Sequence, residues 1–308
     1  MKAVHLTDNI AAPGLALTDV AVPVPGEMEV LVKVHAAGVT PGELTWYPTN
    51  HQKDGSPRLN AIPGHEFSGT IAAVGRGALG FVLDDAVFGM NDWFCQGATA
   101  EYCLASPSTL ARKPRKLTHI EAAAVPIAAL TAWQALFDHA KIESGERILV
   151  HGGAGAVGSF VIQLAKMHGA EVIATATGRG LELLAALKVD EAVDYKSTTF
   201  ERTVGPVDVV FDGVGGDTLA RSWPLLTPTG RAVTIASDSE STTAPRVKQA
   251  FFIVEPNHEQ LENIGLLIDG GILRPFVGAV VPLSSAPAAY AGTVPRAQGR
   301  GKTVIQIF

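Results

Sequence analysis

The chain has 308 residues, 47% of them hydrophobic and 18% charged, with a net charge of −6 from 24 basic and 30 acidic side chains. That length leads us to expect two domains, and the acidic balance argues against a general nucleic-acid or anionic-membrane surface. Two cysteines, Cys95 and Cys103, cannot build a disulfide framework, and the longest apolar stretch, Ala122 to Phe137, contains Pro126 and is too short to span a bilayer.

Lys2 is followed by a short strand-like run rather than the apolar core of a signal peptide, so a reducing cytoplasm is the expected location. Residues 1 to about 117 read as mostly β. Lys2–Leu6, Glu29–Ala36, Ser68–Val74 and Ala100–Leu104 carry the alternation and β-branched residues of strands, separated by turns such as Pro25-Gly26 and Pro63-Gly64. The basic run Arg112-Lys113-Pro114-Arg115-Lys116 is short, broken by proline, and reads as a solvated linker. Thr118 with Glu121 makes a capping box, and an alanine-rich helix is expected from there toward His139, kinked at Pro126.

From Arg147 strand and helix alternate. Apolar runs at Ile148–Val150, Glu171–Ala176, Glu191–Tyr195, Val207–Phe211 and Arg231–Ile235 are separated by helices over Gly155–His168, Gly180–Leu187 and Asp217–Leu226. This alternation predicts a doubly wound parallel sheet. A sixth run, Phe251–Val254, is expected to close one edge of it. A helix (His258–Ile268), a strand (Phe276–Val281), a short alanine-rich helix and a last strand (Thr303–Ile307) follow a complete α/β unit, so this tail is expected to return to the first domain.

The stretch RILVHGGAGAVG, Arg147 to Gly158, carries the clearest chemistry. Gly153, Gly155 and Gly158 fit G-x-G-x-x-G with a strand before and a helix after. One glycine makes the tight turn, the next lets backbone approach a pyrophosphate, and the third lets helix and strand pack closely. The free N–H groups and dipole of a helix starting near Ala156 and Val157 then hold the anion. The bland alternative is a plain strand–turn–helix corner.

Several separate stretches match one family. They are Ala36-Ala37-Gly38-Val39, PGHEFSG (Pro63–Gly69), DAVFG (Asp85–Gly89), EAAAVPIAALTAWQ (Glu121–Gln134), the glycine loop, DEAVDY (Asp190–Tyr195), DVVFDGVGG (Asp208–Gly216) and Gly301-Lys302. In this order the chain resembles the medium-chain dehydrogenase/reductases, and within them the zinc-independent, quinone oxidoreductase-like branch. The resemblance implies an α/β fold: a GroES-like β domain built from both chain ends, 1–117 and 257–308, with a Rossmann NADP-binding domain, 118–256, inserted between them. It also implies a homodimer joined through sheet edges, for which the apolar run Phe251-Phe252-Ile253-Val254 is the candidate.

Zinc-dependent members carry a Cys after the Ala-Ala-Gly-Val run, the His of Gly-His-Glu, and a Cys or Asp on the helix leading into the Rossmann domain. Here the first position is Thr40 and the third falls near Ile127 or Ala128, so only His65 and Glu66 remain. A catalytic zinc takes three protein ligands and keeps one position open. No metal is therefore expected, and His65 reads as a buried, hydrogen-bonded histidine. Without a Lewis acid, an alkoxide loses its stabiliser, whereas reduction of an electron-poor double bond or quinone needs less help.

NAD-selective sites place an acid about 20 residues after the glycine motif. The corresponding strand end reads Ala174-Thr175-Ala176-Thr177-Gly178-Arg179, without a carboxylate. Arg179 is placed to pair with a 2′-phosphate, with Lys196 as a weaker candidate, and the resemblance sets Tyr195 beside that phosphate. The alternatives are an exposed arginine at a helix start and a tyrosine packed at a strand end. NADP(H) is the expected cofactor, with Thr131, Gly213, Val214 and Lys302 added to its site by resemblance.

The resemblance sets the nicotinamide beside Thr40–Tyr47 and the helix around Thr131. Thr40 stands at a zinc cysteine's position, as a donor to carboxamide, ribose or substrate, or as a simple turn hydroxyl. Trp46, Met90, Trp93 and Phe94 are expected to wall an apolar substrate pocket, and Tyr47 is the one nearby candidate proton donor. The expected activity is NADPH-dependent reduction of quinones or of the C=C bond of α,β-unsaturated carbonyls. A zinc-type alcohol dehydrogenase and a non-catalytic NADPH-binding protein are the competing readings. Beyond the small-molecule substrate and a second copy of the chain, no nucleic-acid or membrane partner is expected.

Overall fold

Two hydrophobic patterns build two sheets in the computed structural model, which describes residues 1–7, 14–295 and 301–308. In chain order the strands are β1 (Lys2–Leu6), β2 (Leu15–Asp19), β3 (Val30–Gly38), β4 (Glu66–Val74), β5 (Ala86–Met90), β6 (Tyr102–Ala105), β7 (Leu110–Arg112), β8 (Arg147–His151), β9 (Glu171–Ala176), β10 (Glu191–Asp194), β11 (Val207–Asp212), β12 (Leu226–Thr234), β13 (Val277–Pro282) and β14 (Lys302–Gln306).

The continuous apolar runs make the first sheet. It is five-stranded, in the order β10-β9-β8-β11-β12, with every pair parallel. β8, β9 and β11 are buried along nearly their whole length, as expected where helices cover both faces of a parallel sheet. The chain steps from β8 to β9 and β10 on one side, then crosses to β11 and β12 on the other. Ligands of such sheets bind outside the carboxyl ends of the strands at that crossing.

The second sheet has seven strands, ordered β13-β14-β3-β4-β5-β7, with β6 also pairing with β3. It thus draws strands from both halves of the chain, and β14 lies antiparallel to β3 with Ile305 opposite Ala37. β1 and β2 form a separate antiparallel pair. Three of these strands, β2, β5 and β7, were not expected from the sequence pattern, being short or weakly alternating.

The junction between the sheets is packed, not hinged on a loose linker. Phe88 and Met90 of β5 share one core with Val125–Leu136, with β8, and with Leu261, Ile264 and Ile268 of the His258–Asp269 helix. The Thr118–Glu121 capping box is present. The helix after it does not merely kink, however: it stops at Ala122 and a new helix starts with Pro126 in its first turn, where a missing N–H costs nothing. From Gln134 to His139 this helix widens to π geometry.

Two expectations need correction. Phe251–Val254 is not a strand: only the Thr234–Phe251 bridge links it to the sheet, and Phe252 and Val254 turn into the core instead. The basic run is solvated at Arg112, Arg115 and Lys116 as expected, but it is tethered to its neighbours rather than being a plain linker. Arg112 ends β7 and pairs with Asp85 at 3.1 Å, Lys113 donates to the Pro114 carbonyl at 2.9 Å, and Arg115 faces Asp269 at 3.6 Å. No helix among the described residues is long and apolar enough to cross a membrane.

Candidate active site

The glycine loop follows β8 and opens at the carboxyl end of the parallel sheet. Gly152 has φ 75°, which favours glycine. A Cβ on Gly158 would stand 2.3 Å from the Gly152 carbonyl oxygen, and one on Gly153 would stand 3.0 Å from the Ala174 methyl. These two glycines therefore serve close packing of helix, loop and β9. The Ala156–Met167 helix starts at Gly155 without a side-chain cap, leaving first-turn N–H groups for a ligand. A cavity of ≈ 370 Å³ lies against this turn and is walled by Gly152 and Gly155, by Thr175 and Thr177 after β9, by Tyr195, and by Gly213 and Val214 after β11. An uncapped helix start, bare glycine backbone and a cavity of this size fit the diphosphate and ribose of a dinucleotide.

Side chains that the sequence pattern did not single out shape this cavity. Asp212, fully buried, accepts hydrogen bonds from the Val214 and Gly215 N–H groups at 3.0 Å and from Thr234 Oγ1 at 2.7 Å, which fixes the turn after β11. His151 stands at the cavity floor. Ser222 Oγ donates to the Thr218 carbonyl (2.7 Å), so at 2.8 Å it must accept from His151 Nε2; Nδ1 then accepts from Thr175 Oγ1 at 3.2 Å. This network suits a neutral imidazole, and burial lowers its pKa to about 4.

Arg179 begins the helix after β9, exposed and outside the cavity lining. The guanidinium in the wall is Arg221. It is matched by Glu201 (2.9 and 3.0 Å) and Asp217 (2.9 Å) and lies 4.8 Å over the Phe200 ring. Nothing local in the sequence marks it, because it enters from a helix turn after β11.

A second cavity, of ≈ 330 Å³, opens between the two sheets. Trp46, Trp93 and Phe94 wall it from one side, Ile127, Thr131 and Val157 from the middle, and Ile235 and Phe251–Val254 from the other. Trp46 and Trp93 meet edge to face with centroids 5.0 Å apart, and Trp93 Nε1 donates to the Val254 carbonyl at 3.0 Å. Arg58, buried, clamps the two aromatic loops: it donates to the carbonyls of Pro48 (2.9 Å), Trp93 (3.4 Å) and Cys95. Two expected members are not in this wall. Met90 is fully buried, paired across the sheet with Glu66, because the alternation of β5 turns it into the core. Tyr47 is 52% exposed and stacks on His51 at 4.3 Å, since its short helix turns the ring to solvent.

Polar groups gather next to the cleft, and of these only Thr40 and Lys302 reach its lining. Glu43 and His65, both buried, pair through Oε1 and Nδ1, and Glu43 also accepts from the Gly64 N–H at 2.7 Å. His65 Nε2 faces the Cys95 carbonyl at 3.1 Å. Glu66 pairs with Lys302 and accepts from the Ile127 N–H at 3.0 Å. Burial pushes the Glu66 carboxyl upward, while Lys302 and the Ile127 N–H oppose that. Lys302 Nζ donates to Thr40 Oγ1 at 3.2 Å. His65 and Glu66 are thus taken by protein partners, and among the described residues no three His, Cys, Asp or Glu side chains gather to ligate a metal.

The comparisons agree with this architecture. Residues 26–124 match the alcohol dehydrogenase GroES-like domain, and residues 187–305 match the family described as zinc-binding dehydrogenase. A probable zinc-binding oxidoreductase, mitochondrial, of Arthroderma benhamiae is 30% identical, with 98% of this chain and 96% of that protein covered. A 2-methylene-furan-3-one reductase of Solanum lycopersicum is 34% identical over 92% of this chain and 73% of its own length. The solved quinone oxidoreductase of Coxiella burnetii superposes with a TM-score of 0.85 at 31% identity, covering 100% of this chain and 99% of the other. The chain belongs to the medium-chain dehydrogenase/reductases, on their quinone oxidoreductase-like side, and is an NAD(P)H oxidoreductase of that family.

Proposed function

We propose that the enzyme uses NADPH to reduce quinones or the C=C bond of α,β-unsaturated carbonyl compounds, and does so without zinc. The observation that carries this is the cleft itself: an aromatic slot meets the start of the Ala156–Met167 helix through Val157, and of the three positions where zinc-dependent members carry ligands, one is Thr40, one is the apolar Ile127–Ala128 region, and the third, His65, is already paired with Glu43. A reduced nicotinamide bound there would supply hydride. The chain's part is to hold the diphosphate on the N–H groups of Ala156 and Val157, to orient the ring and to exclude water. Thr131 Oγ1 gives its proton to the Ile127 carbonyl at 2.6 Å, so toward a ligand it acts as an acceptor, suited to a carboxamide NH₂. The acid-free end of β9 supports NADPH over NADH, with Arg179 exposed at the start of the next helix. The reductase and quinone oxidoreductase named among the relatives support the substrate class.

An NADPH-consumption screen across quinones, enals, enones, aldehydes and alcohols, with product analysis, tests this. Conjugated substrates should be reduced at carbon with the carbonyl intact. An allylic alcohol from an enone, faster turnover of simple alcohols, or cofactor binding with no turnover at all would overturn it. We also propose a homodimer through the edge of β12, which among the described residues has β11 on one side and only the Thr234–Phe251 bridge on the other. A monomer by light scattering at micromolar concentration counts against that.

A further inference from the structure

Hydride addition to a conjugated carbonyl leaves negative charge on oxygen, and a site lacking a metal must meet that charge with hydrogen-bond donors. The cleft holds two in one place. Lys302 is 8% exposed, and its remaining surface lines the cavity. Its ammonium has three N–H bonds; one goes to Glu66 and one to Thr40 Oγ1. The third has no protein acceptor among the described residues. Thr40 Oγ1 accepts from Lys302, and its own proton likewise has no protein acceptor among them. Thr131 differs, because its proton is already given to Ile127. One polar corner of the cavity therefore donates, and the other hydroxyl accepts.

The geometry points to Lys302 and Thr40 as a paired oxyanion site that takes the carbonyl oxygen of the substrate, with Glu66 as the positioning residue that anchors the ammonium. Lys302 then acts on the substrate rather than serving only the cofactor. In an enone, hydride adds to the β-carbon, the C=C electron pair moves so that the carbonyl oxygen becomes an enolate held by the two donors, and water protonates the α-carbon. The reduced nicotinamide is oxidised in the same step, so two electrons and one proton leave it and one proton comes from water. In a quinone the same corner takes the oxygen that becomes the hydroquinone anion. This inference rests on the proposed reaction for the substrate class, but the donor pair is testable by itself.

The probe is 4-nitrophenol, whose anion mimics a conjugated enolate and has its own visible band. At a pH where the free phenol is mostly protonated, the wild type with NADP⁺ should bind it as the anion. Thr40→Val, nearly isosteric, should lose that band and bind roughly tenfold weaker. Lys302→Met leaves Glu66 buried without its partner, so the paired variant Glu66→Gln, Lys302→Met, which keeps the corner neutral, is measured beside it. Where the enzyme turns over enones, kcat measured at saturating NADPH should fall about 10²-fold in these variants, with partial rescue in Lys302→Arg.

Absence of anion binding by the wild type, or an anion band unchanged in Thr40→Val and in the paired variant, overturns the inference. So does a loss confined to NADPH affinity. Failure of every enone and quinone to react would sink the proposed reaction and leave the nitrophenol result to decide on the donor pair.

Discussion

The two cavities are made in opposite ways. The one at the glycine loop is built largely by backbone at the carboxyl ends of neighbouring strands: bare glycines, an uncapped helix start and a turn pinned by Asp212. The aromatic cleft is built by side chains from distant segments, held by Arg58, by Trp93 and by the Glu66–Lys302–Thr40 chain. Backbone sites tolerate little added volume and little rearrangement. Side-chain sites tolerate shape change but fail when a charge partner is lost. A cofactor common to a family suits the first kind of construction, and a variable substrate suits the second.

The largest expected effect probes the buried polar floor of the glycine cavity. His151 stays neutral in the native protein down to about pH 4, against an ordinary value of 6.5. Below pH 6.5 the unfolded chain takes up a proton that the native site refuses, so stability is full above that value, falls as pH drops toward 4, and levels off below. The contribution is on the order of 3 kcal/mol. Burial lowers His119 in the same direction. Urea midpoints between pH 4 and 7 should show this slope, reduced in His151→Gln; an identical slope in the variant would remove His151 from the account.

The next concerns the exposed helix start after β9, outside the cavity lining. Arg179→Ala should weaken NADPH binding by about 1.5–3 kcal/mol, roughly ten- to a hundredfold, and leave NADH unchanged. Equal wild-type affinities for the two cofactors would sink the preference, and an unaffected variant would move the role to Lys196 or Tyr195. Gly158→Ala then tests the claim about backbone: a methyl 2.3 Å from the Gly152 oxygen should cost about 1–3 kcal/mol by overpacking, seen in the urea midpoint together with weaker cofactor fluorescence. Normal stability there would mean that the loop yields. The smallest effect belongs to the cleft's edge. Tyr47→Phe should change both stability and log-scale turnover by no more than about 0.5 kcal/mol, because its hydroxyl lies outside the cavity; a severe loss of kcat would restore it as a proton donor.

The glycine cavity was legible because its determinants are local. A strand, a turn and a helix within twelve residues specify Gly153, Gly155 and Gly158 together, and the acid-free end of β9 lies one crossover later. Arg221 and Asp212 escaped, since their roles follow from which helix turn or strand end faces the loop. The cleft was half legible. Trp46, Trp93 and Phe94 do line it, but nearness in sequence misled for Met90 and Tyr47, whose orientation is set by strand alternation and a single helical turn. Phe251–Val254 carries the hydrophobicity of an edge strand, yet Phe252 and Val254 find more burial in the interdomain core. The sequence pattern that marks His65 and Glu66 could not tell that Glu43, far upstream, would claim the first and Lys302 the second.

The seating of β14 beside β3 has a consequence for how the enzyme comes to be made. Lys302 meets Thr40 across 262 residues, and the whole β8–β12 sheet is synthesised between the two halves of the other one. The parallel sheet has its strands in one uninterrupted stretch, all of it synthesised before β14. The far end of β3, Ala36–Gly38, waits as an open edge until β14 arrives, and pairings of such long separation form slowly. Synthesis therefore produces every strand that borders the glycine cavity before β14, and Lys302 is the last of the cleft's polar residues to be made.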